Sequence, residues 1–341
     1  MKKLLNTLYV TKQGAYLRKD GETVVVEFDK SVLMRLPIHT LSGIVVFGNV
    51  MMSPFLLGLC GERGVQVSML TEQGTFLARI EGPVSGNVLL RITQIQASMD
   101  PGKSAALARS FIVGKLMNAR NLLERRLRDR GEDESCWAAS VVHANLLYRL
   151  RVTNAETDVL RGIEGEAASA YFSAFNSLVG AEKTAFHISG RNRRPPKDPM
   201  NALLSFLYTL LAHDCEGALS SVGLDPQVGF LHAVRPGRPS LALDLMEELR
   251  PVLADREALA LVNLGKVSAR GFRTTESGAV IMDDDTRKTV LMSWQTRKKE
   301  IVQHPFLEEK VEFGLLPHVQ AMLLARHLRG DLDAYPPFLL K

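Results

Sequence analysis

The feature that most constrains this chain is a change of apolar period about a quarter of the way along it. Before Gly82-Pro83, hydrophobic residues come in short, β-branched runs: Leu8-Tyr9-Val10, Thr23 to Phe28, Gly43 to Phe47, Val65 to Leu70 and Phe76 to Ile80. Turn pairs such as Asp20-Gly21 and Gln73-Gly74 bound them, and one helix fits near Ser53 to Cys60. Such runs predict a β-sandwich or small barrel. After Ser85-Gly86 the step becomes three and four, with Leu107, Phe111, Leu116, Ala119, Leu123 and Leu127 on one long helix. Helix is expected to dominate from Ala105 onward. The chain therefore reads as a two-domain α+β protein: a small β-sandwich domain over residues 1–85, then a larger, mainly α-helical domain over 86–341.

Local signals punctuate the second part. Asp198-Pro199 has the form of an N-cap followed by proline in the first helical position, and Gly223 is placed to end that helix. A hairpin is expected over Phe272 to Asp283, turning at Ser277-Gly278, and a last helix over Leu315 to Arg329, stopping at Gly330. Gly102-Lys103-Ser104 ahead of a helix suggests a phosphate-binding loop, but the glycine required five residues earlier is Ala97. Asp100-Pro101-Gly102 reads instead as a bend, with the helix starting near Ser104.

No apolar run reaches the ~20 residues that span a bilayer, and the start of the chain lacks the apolar core of a secretion signal. Three scattered cysteines make neither a CxxC pair nor a disulfide framework. A cytoplasmic location without membrane attachment is expected. The formal net charge of +5 favours a polyanionic partner.

Four segments carry candidate chemistry. Glu164 lies in Gly162-Ile163-Glu164-Gly165-Glu166-Ala167-Ala168, where glycine and alanine would let another backbone approach, and an enclosed carboxylate needs a cation to offset its desolvation. His232 ends the apolar approach Val228-Gly229-Phe230-Leu231. Asp244 and Glu247, three residues apart, share one face of the helix that opens at Ser240, with Glu248 beside them. Two or three carboxylates with one imidazole suit a hard divalent ion, Mg2+ or Mn2+, of the kind that polarises phosphodiesters. Spacing allows either Asp244 or Glu247 to complete such a site. The proline-stiffened stretch Arg191, Arg193, Arg194 and Lys197 offers guanidinium forks and an ammonium to DNA phosphates.

Taken in order, Gly162-Ile163-Glu164-Gly165-x-Ala167-Ala168-x-x-Tyr171-Phe172, Arg193-Arg194-Pro195-Pro196-x-Asp198-Pro199, Gly229-Phe230-Leu231-His232 and Leu243 to Pro251 resemble the motifs of the universal CRISPR-associated (Cas) adaptation endonuclease/integrase, which inserts new spacers. The resemblance covers nearly the whole chain. It implies an N-terminal β-sandwich that mediates homodimerisation and a helical, DNA-binding catalytic domain. It further implies metal ligands at Glu164, His232 and Glu247, with Asp244 near the site. The implied reaction joins 3′-hydroxyl ends of a short duplex into the repeat array by transesterification. Double-stranded and branched DNA and a small ferredoxin-like Cas protein are the implied partners. Two other readings fit the residues themselves: a non-catalytic helical DNA-binding scaffold, and a small-phosphoester metallohydrolase, which would need a deep closed pocket.

Overall fold

A computed structural model of the chain describes residues 6–72, 76–80, 88–153, 155–192 and 195–340. The Gln73-Gly74 turn, the Gly82-Pro83 and Ser85-Gly86 pairs with the expected 85/86 boundary, and Arg193 and Arg194 lie outside them.

Among the described residues, eight strands and one α-helix come first: β1 (Asn6–Val10), β2 (Tyr16–Asp20), β3 (Thr23–Phe28), β4 (Ser31–Pro37), β5 (Leu41–Phe47), β6 (Met51–Met52), α1 (Pro54–Arg63), β7 (Gln66–Leu70) and β8 (Phe76–Ile80). They form two four-stranded sheets, ordered β1-β5-β7-β8 and β4-β3-β2-β6. Leu17, Val24 and Val26 of one sheet and Leu8, Val10, Ile44, Val46 and Val67 of the other share one core, closed by Leu56, Leu59 and Cys60 of α1. The expected strand-rich start is present with its one helix, α1, which lies in the crossover between β5 and β7 because β1, β5 and β7 pair in parallel.

β5 is apolar on both faces because both are buried. Ile44 and Val46 point into the sandwich, while Val45 and Phe47 enter the core of the helical part together with Leu70 of β7.

The helical part comprises α2 (Val88–Met99), α3 (Pro101–Arg130), α4 (Glu134–Val152), α5 (Thr157–Ala174), α6 (Pro199–Ser221), α7 (Ser240–Leu249), α8 (Arg256–Asn263), α9 (Asp284–Lys298) and α10 (Leu316–Leu328). Short hairpins β9 (Phe272–Thr274) with β10 (Val280–Met282) and β11 (Ile301–Gln303) with β12 (Lys310–Glu312) interrupt it. Phe47 and Phe206 of α6 pack with ring centroids 6.0 Å apart, and Arg79 of β8 forms an ion pair with Glu216 of α6.

Helix caps follow the sequence chemistry. The Asp198 side chain accepts from Asn201 N at 2.7 Å with Pro199 in the first turn, and Gly223 and Gly330 adopt left-handed φ of 86° and 84°. The reading of residues 100–102 as a bend is corrected: Asp100 is itself the N-cap of α3, its Oδ1 accepting from Gly102 N at 2.9 Å and Lys103 N at 3.0 Å. Gly102-Lys103-Ser104 is the first helical turn.

α3 is the spine that positions the site. Leu107, Phe111, Ala119 and Leu123 face the main core, and Ala105, Ala108, Ile112 and Leu116 face α4 and α5. α7 crosses it at Gly114. A Cβ there would lie 2.7 Å from Glu248 Cβ and 3.0 Å from Glu248 Oε2, so only glycine permits this approach. Behind α7, the segment from Tyr335 to Leu340 is stapled in place. Phe338 N donates to Glu248 Oε2 at 2.8 Å, and Asn118 Nδ2 donates at 2.8 Å to both Glu248 O and Phe338 O.

Candidate metal and DNA site

The site forms where α3, α5, α7 and the loop Val228 to His232 meet. That loop folds over the start of α7 because Asp244, fully buried, gathers its amides. Asp244 Oδ2 accepts from Phe230 N at 2.6 Å and Leu231 N at 2.9 Å, and Oδ1 from His232 N at 2.9 Å and His232 Nδ1 at 2.7 Å. Gly229 makes the closure possible: a Cβ there would sit 2.8 Å from Asp244 Oδ2 and 2.8 Å from Ser240 Cβ.

An ionised carboxylate only accepts, so the proton of the His232 ring sits on Nδ1 and the lone pair on Nε2. Nε2 faces Glu247 Oε1 at 3.8 Å. Asp244 thus orients an imidazole toward Glu247, and its own oxygens are occupied.

Glu247 is almost fully buried among cations. Arg250 Nη1 lies 2.8 Å from its Oε1, and Lys115 Nζ, from α3, lies 2.7 Å from its Oε2. The same Lys115 ammonium pairs with Glu164 Oε1 of α5. Burial pushes the Glu247 carboxyl upward, but the Arg250 guanidinium and the Lys115 ammonium outweigh it and hold it at about 2. Oε2 is buried, and the Lys115 ammonium is the cation that meets it.

Arg250 opens a π-helical stretch, Arg250–Asp255, and stacks on Tyr208 with its Cζ 4.9 Å from the ring centroid. Tyr208 and Tyr171 donate to the two oxygens of buried Asp255 at 2.6 and 3.0 Å. Burial pushes the Asp255 carboxyl up to about 6, against those hydroxyls. A cavity of about 30 Å³ lies beside Lys115, Tyr208, Arg250 and Asp255, room for a water or two.

Three of the four acidic and histidine candidates therefore line one place, Glu164, His232 and Glu247, and Asp244 stands behind the imidazole. As the side chains stand, no three His, Cys, Asp or Glu groups among the described residues lie close enough together to hold one ion. Lys115 is between two of them. The donor set itself suits a hard divalent cation: two carboxylates and an imidazole whose Nε2 faces one of them.

Lys115 and Arg250 were not among the residues singled out from the sequence. Lys115 carried a signal: it sits within the apolar stripe of α3, three and four residues from Ile112, Phe111 and Ala119. Arg250 stands three residues after Glu247, a helical pairing distance.

The basic loop is partly internal. Arg191 Nη1 donates to Asn201 Oδ1 at 2.7 Å and Nη2 to Ser205 Oγ at 3.1 Å, and its guanidinium shares the Tyr208 ring with Arg250. Two nitrogens of its fork are engaged within the chain, so a DNA contact by Arg191 would share a guanidinium that also serves the fold. Lys197 is exposed, with its backbone N–H on Asn192 Oδ1. The expected close approach at the glycines beside Glu164 is also absent: nothing lies within 4 Å of a Cβ at Gly162 or Gly165. The buried members of that segment are Ile163, Ala167 and Tyr171.

Among the described residues no helix is long and apolar enough to cross a membrane. The family described as "CRISPR associated protein Cas1" matches residues 8–296. The CRISPR-associated endonuclease Cas1 2 of Rhodospirillum rubrum is 53% identical, over the whole of both chains. Two solved structures share the fold at a TM-score of 0.83. One is a casposase bound to integration product, 22% identical, covering 98% of this chain and 94% of that one. The other is a Cas6-RT-Cas1--Cas2 complex, 20% identical, covering 98% of this chain and 36% of that one. With its β-sandwich and helical part, a family match over residues 8–296 and a full-length relative 53% identical, the chain belongs to the Cas1 family.

Proposed function

We propose that this chain is the metal-dependent DNA endonuclease/integrase of a CRISPR adaptation system, joining 3′-hydroxyl ends of a short DNA duplex into the repeat array by transesterification. The observation that carries this reading is the meeting of Glu164, His232 and Glu247, from three separate parts of the chain, with the His232 tautomer fixed by Asp244. The name of the Rhodospirillum relative supports endonuclease activity, and the casposase, solved on an integration product, supports strand joining on this fold.

In this reading Glu164, His232 and Glu247 would hold Mg2+ or Mn2+. The chemistry supplied there by a bound divalent ion is polarisation of a phosphodiester and acidification of a water or 3′-hydroxyl. The chain's own residues prepare it. Arg250 and Lys115 keep Glu247 ionised, Asp244 keeps the His232 Nε2 lone pair turned toward Glu247, and Tyr208 fixes the plane of Arg250.

A small-phosphoester hydrolase would need an enclosed substrate pocket at Glu164, His232 and Glu247, whereas the cavity of about 30 Å³ is lined by none of them. Lys197 and the described surface around it would contact double-stranded or branched DNA, with Arg193 and Arg194 in the same loop. The Cas1–Cas2 assembly of a fold neighbour supports a Cas partner, for which a small ferredoxin-like protein is the reading, in a cytoplasmic complex. A homodimer through the 1–85 unit is supported by the edge strand β4, which exposes Val32, Leu33 and Met34.

Strand transfer of a short duplex with free 3′ ends into a repeat-bearing plasmid, with Mn2+ or Mg2+, tests the reading. Glu164→Ala, His232→Ala and Glu247→Ala are each expected to abolish it with the fold intact. Full activity in any one would remove that residue from the site.

A further inference from the structure

Lys115 stands where a cation is needed. Its ammonium pairs with Glu164 and lies 2.7 Å from Glu247 Oε2. That oxygen is buried, so the ammonium offsets a charge that would otherwise be costly there. The side chain is not sealed in: it retains 13% exposure and borders the cavity of about 30 Å³ beside Arg250. We propose that Lys115 is an exchangeable internal counter-ion: it neutralises Glu164 and Glu247 in the unloaded protein, yields its place between them to the divalent ion, and then serves as a cation for a DNA phosphate. This inference rests on the metal reading above and adds the residue that regulates loading.

Electrostatics motivates the exchange. Two carboxylates facing one spot repel each other, and a buried one without a counter-charge is costly, so a site with no internal cation would destabilise the unloaded fold. The same cation opposes the incoming ion, because an ammonium and a divalent ion cannot share two oxygens in a poorly solvated space. Asp244, Glu164 and Glu247 against Lys115 and Arg250 leave one net negative charge, with His232 neutral. A divalent ion turns this into one net positive charge. A phosphodiester then restores neutrality, so ion and DNA should each favour the other's binding.

Mn2+ binding to the full chain, measured by calorimetry or electron paramagnetic resonance with and without branched DNA, tests the exchange. Lys115→Met is expected to bind Mn2+ at least about tenfold more tightly than the unsubstituted protein when DNA is absent. It should melt at lower temperature without metal, regain its midpoint with Mn2+, and lose the gain in Mn2+ affinity that DNA gives the unsubstituted protein. Lys115→Gln, which keeps donors but no charge, makes the same comparison where Lys115→Met does not fold unloaded. Mn2+ affinity equal to or weaker than that of the unsubstituted protein in both variants overturns the proposal. Glu247→Gln separates the two levels. If it loses Mn2+ while the Lys115 variants gain nothing, only the exchange fails; if it binds Mn2+ normally, the metal reading of the site fails.

Discussion

Asp244 grips His232 twice, accepting its backbone amide at 2.9 Å and its Nδ1 at 2.7 Å on the same Oδ1. One carboxylate thereby fixes both where the imidazole is and which nitrogen it turns toward Glu247. Asp244→Asn keeps the shape but presents an amide to a cluster of donors. Mn2+ affinity is expected to fall about 10–100-fold, with ~1–3 kcal/mol of stability lost through unpaired amides. Calorimetric titration and thermal melting check both; unchanged affinity would mean His232 does not depend on Asp244.

Gly114 and Gly165 make opposite predictions from the same substitution. Alanine at 114 drives a methyl into Glu248 where α3 and α7 cross, and is expected to cost ~1–3 kcal/mol and displace Lys115 from Glu247. Alanine at 165 meets nothing within 4 Å, and in a helix interior should stabilise by ~0.5–1 kcal/mol. Denaturant unfolding of the two variants is the check. Equal effects would contradict the helix crossing described.

Asp255 gives stability a pH slope. Its carboxyl ionises near an ordinary 3.8 when exposed and near 6 in the fold, where burial outweighs the two tyrosine hydroxyls. Below both values it is protonated in either state, and its neutral form adds its full share to the fold. Between them the unfolded chain loses the proton first, so stability declines as pH rises and stays lower above 6. The decline is on the order of 3 kcal/mol, since one pKa unit is ~1.4 kcal/mol. Glu248, pushed up to about 7 by burial, slopes the same way. Asp255→Asn is expected to flatten the curve between about pH 4 and 6 relative to the unsubstituted protein, and to preserve stability at pH 7. Denaturation midpoints across that range measure it; a parallel curve would place the proton elsewhere.

The basic loop separates by role. Lys197→Ala should lower the salt slope of DNA binding by up to ~1 and leave stability within about 0.5 kcal/mol. Arg191→Ala should leave the slope alone and cost ~1–3 kcal/mol, because Asn201 and Ser205 lose their donor. Binding isotherms at several salt concentrations distinguish them, and a changed slope for Arg191→Ala would return that residue to the DNA surface.

Much of this architecture is written in local chemistry. The Asp198-Pro199 cap, the Gly223 and Gly330 stops and the Ser277-Gly278 hairpin are read from a few neighbouring residues and recur in the fold. α2 escaped because Leu89, Ile92, Ile95 and Met99 face outward, so its apolar pattern does not point to the core. The parallel pairing of β1, β5 and β7 escaped because alternation says which face is apolar and nothing about the partner strand. At the site, acids and histidine announce themselves by type. Lys115 and Arg250 gain their meaning only from contacts across the fold, such as Lys115 with Glu164, 49 residues away. Composition could not reveal that Nη1 and Nη2 of Arg191 donate within their own chain.

The two-faced strand β5 governs how the molecule can be taken apart. Its alternate residues belong to different cores, Ile44 and Val46 to one, Val45 and Phe47 to the other. Cutting the gene between the two units would leave the first half with a raw apolar sheet face and the second with an uncovered Phe206. Each fragment would seek another surface, so separately expressed halves should aggregate or need co-expression to stay in solution.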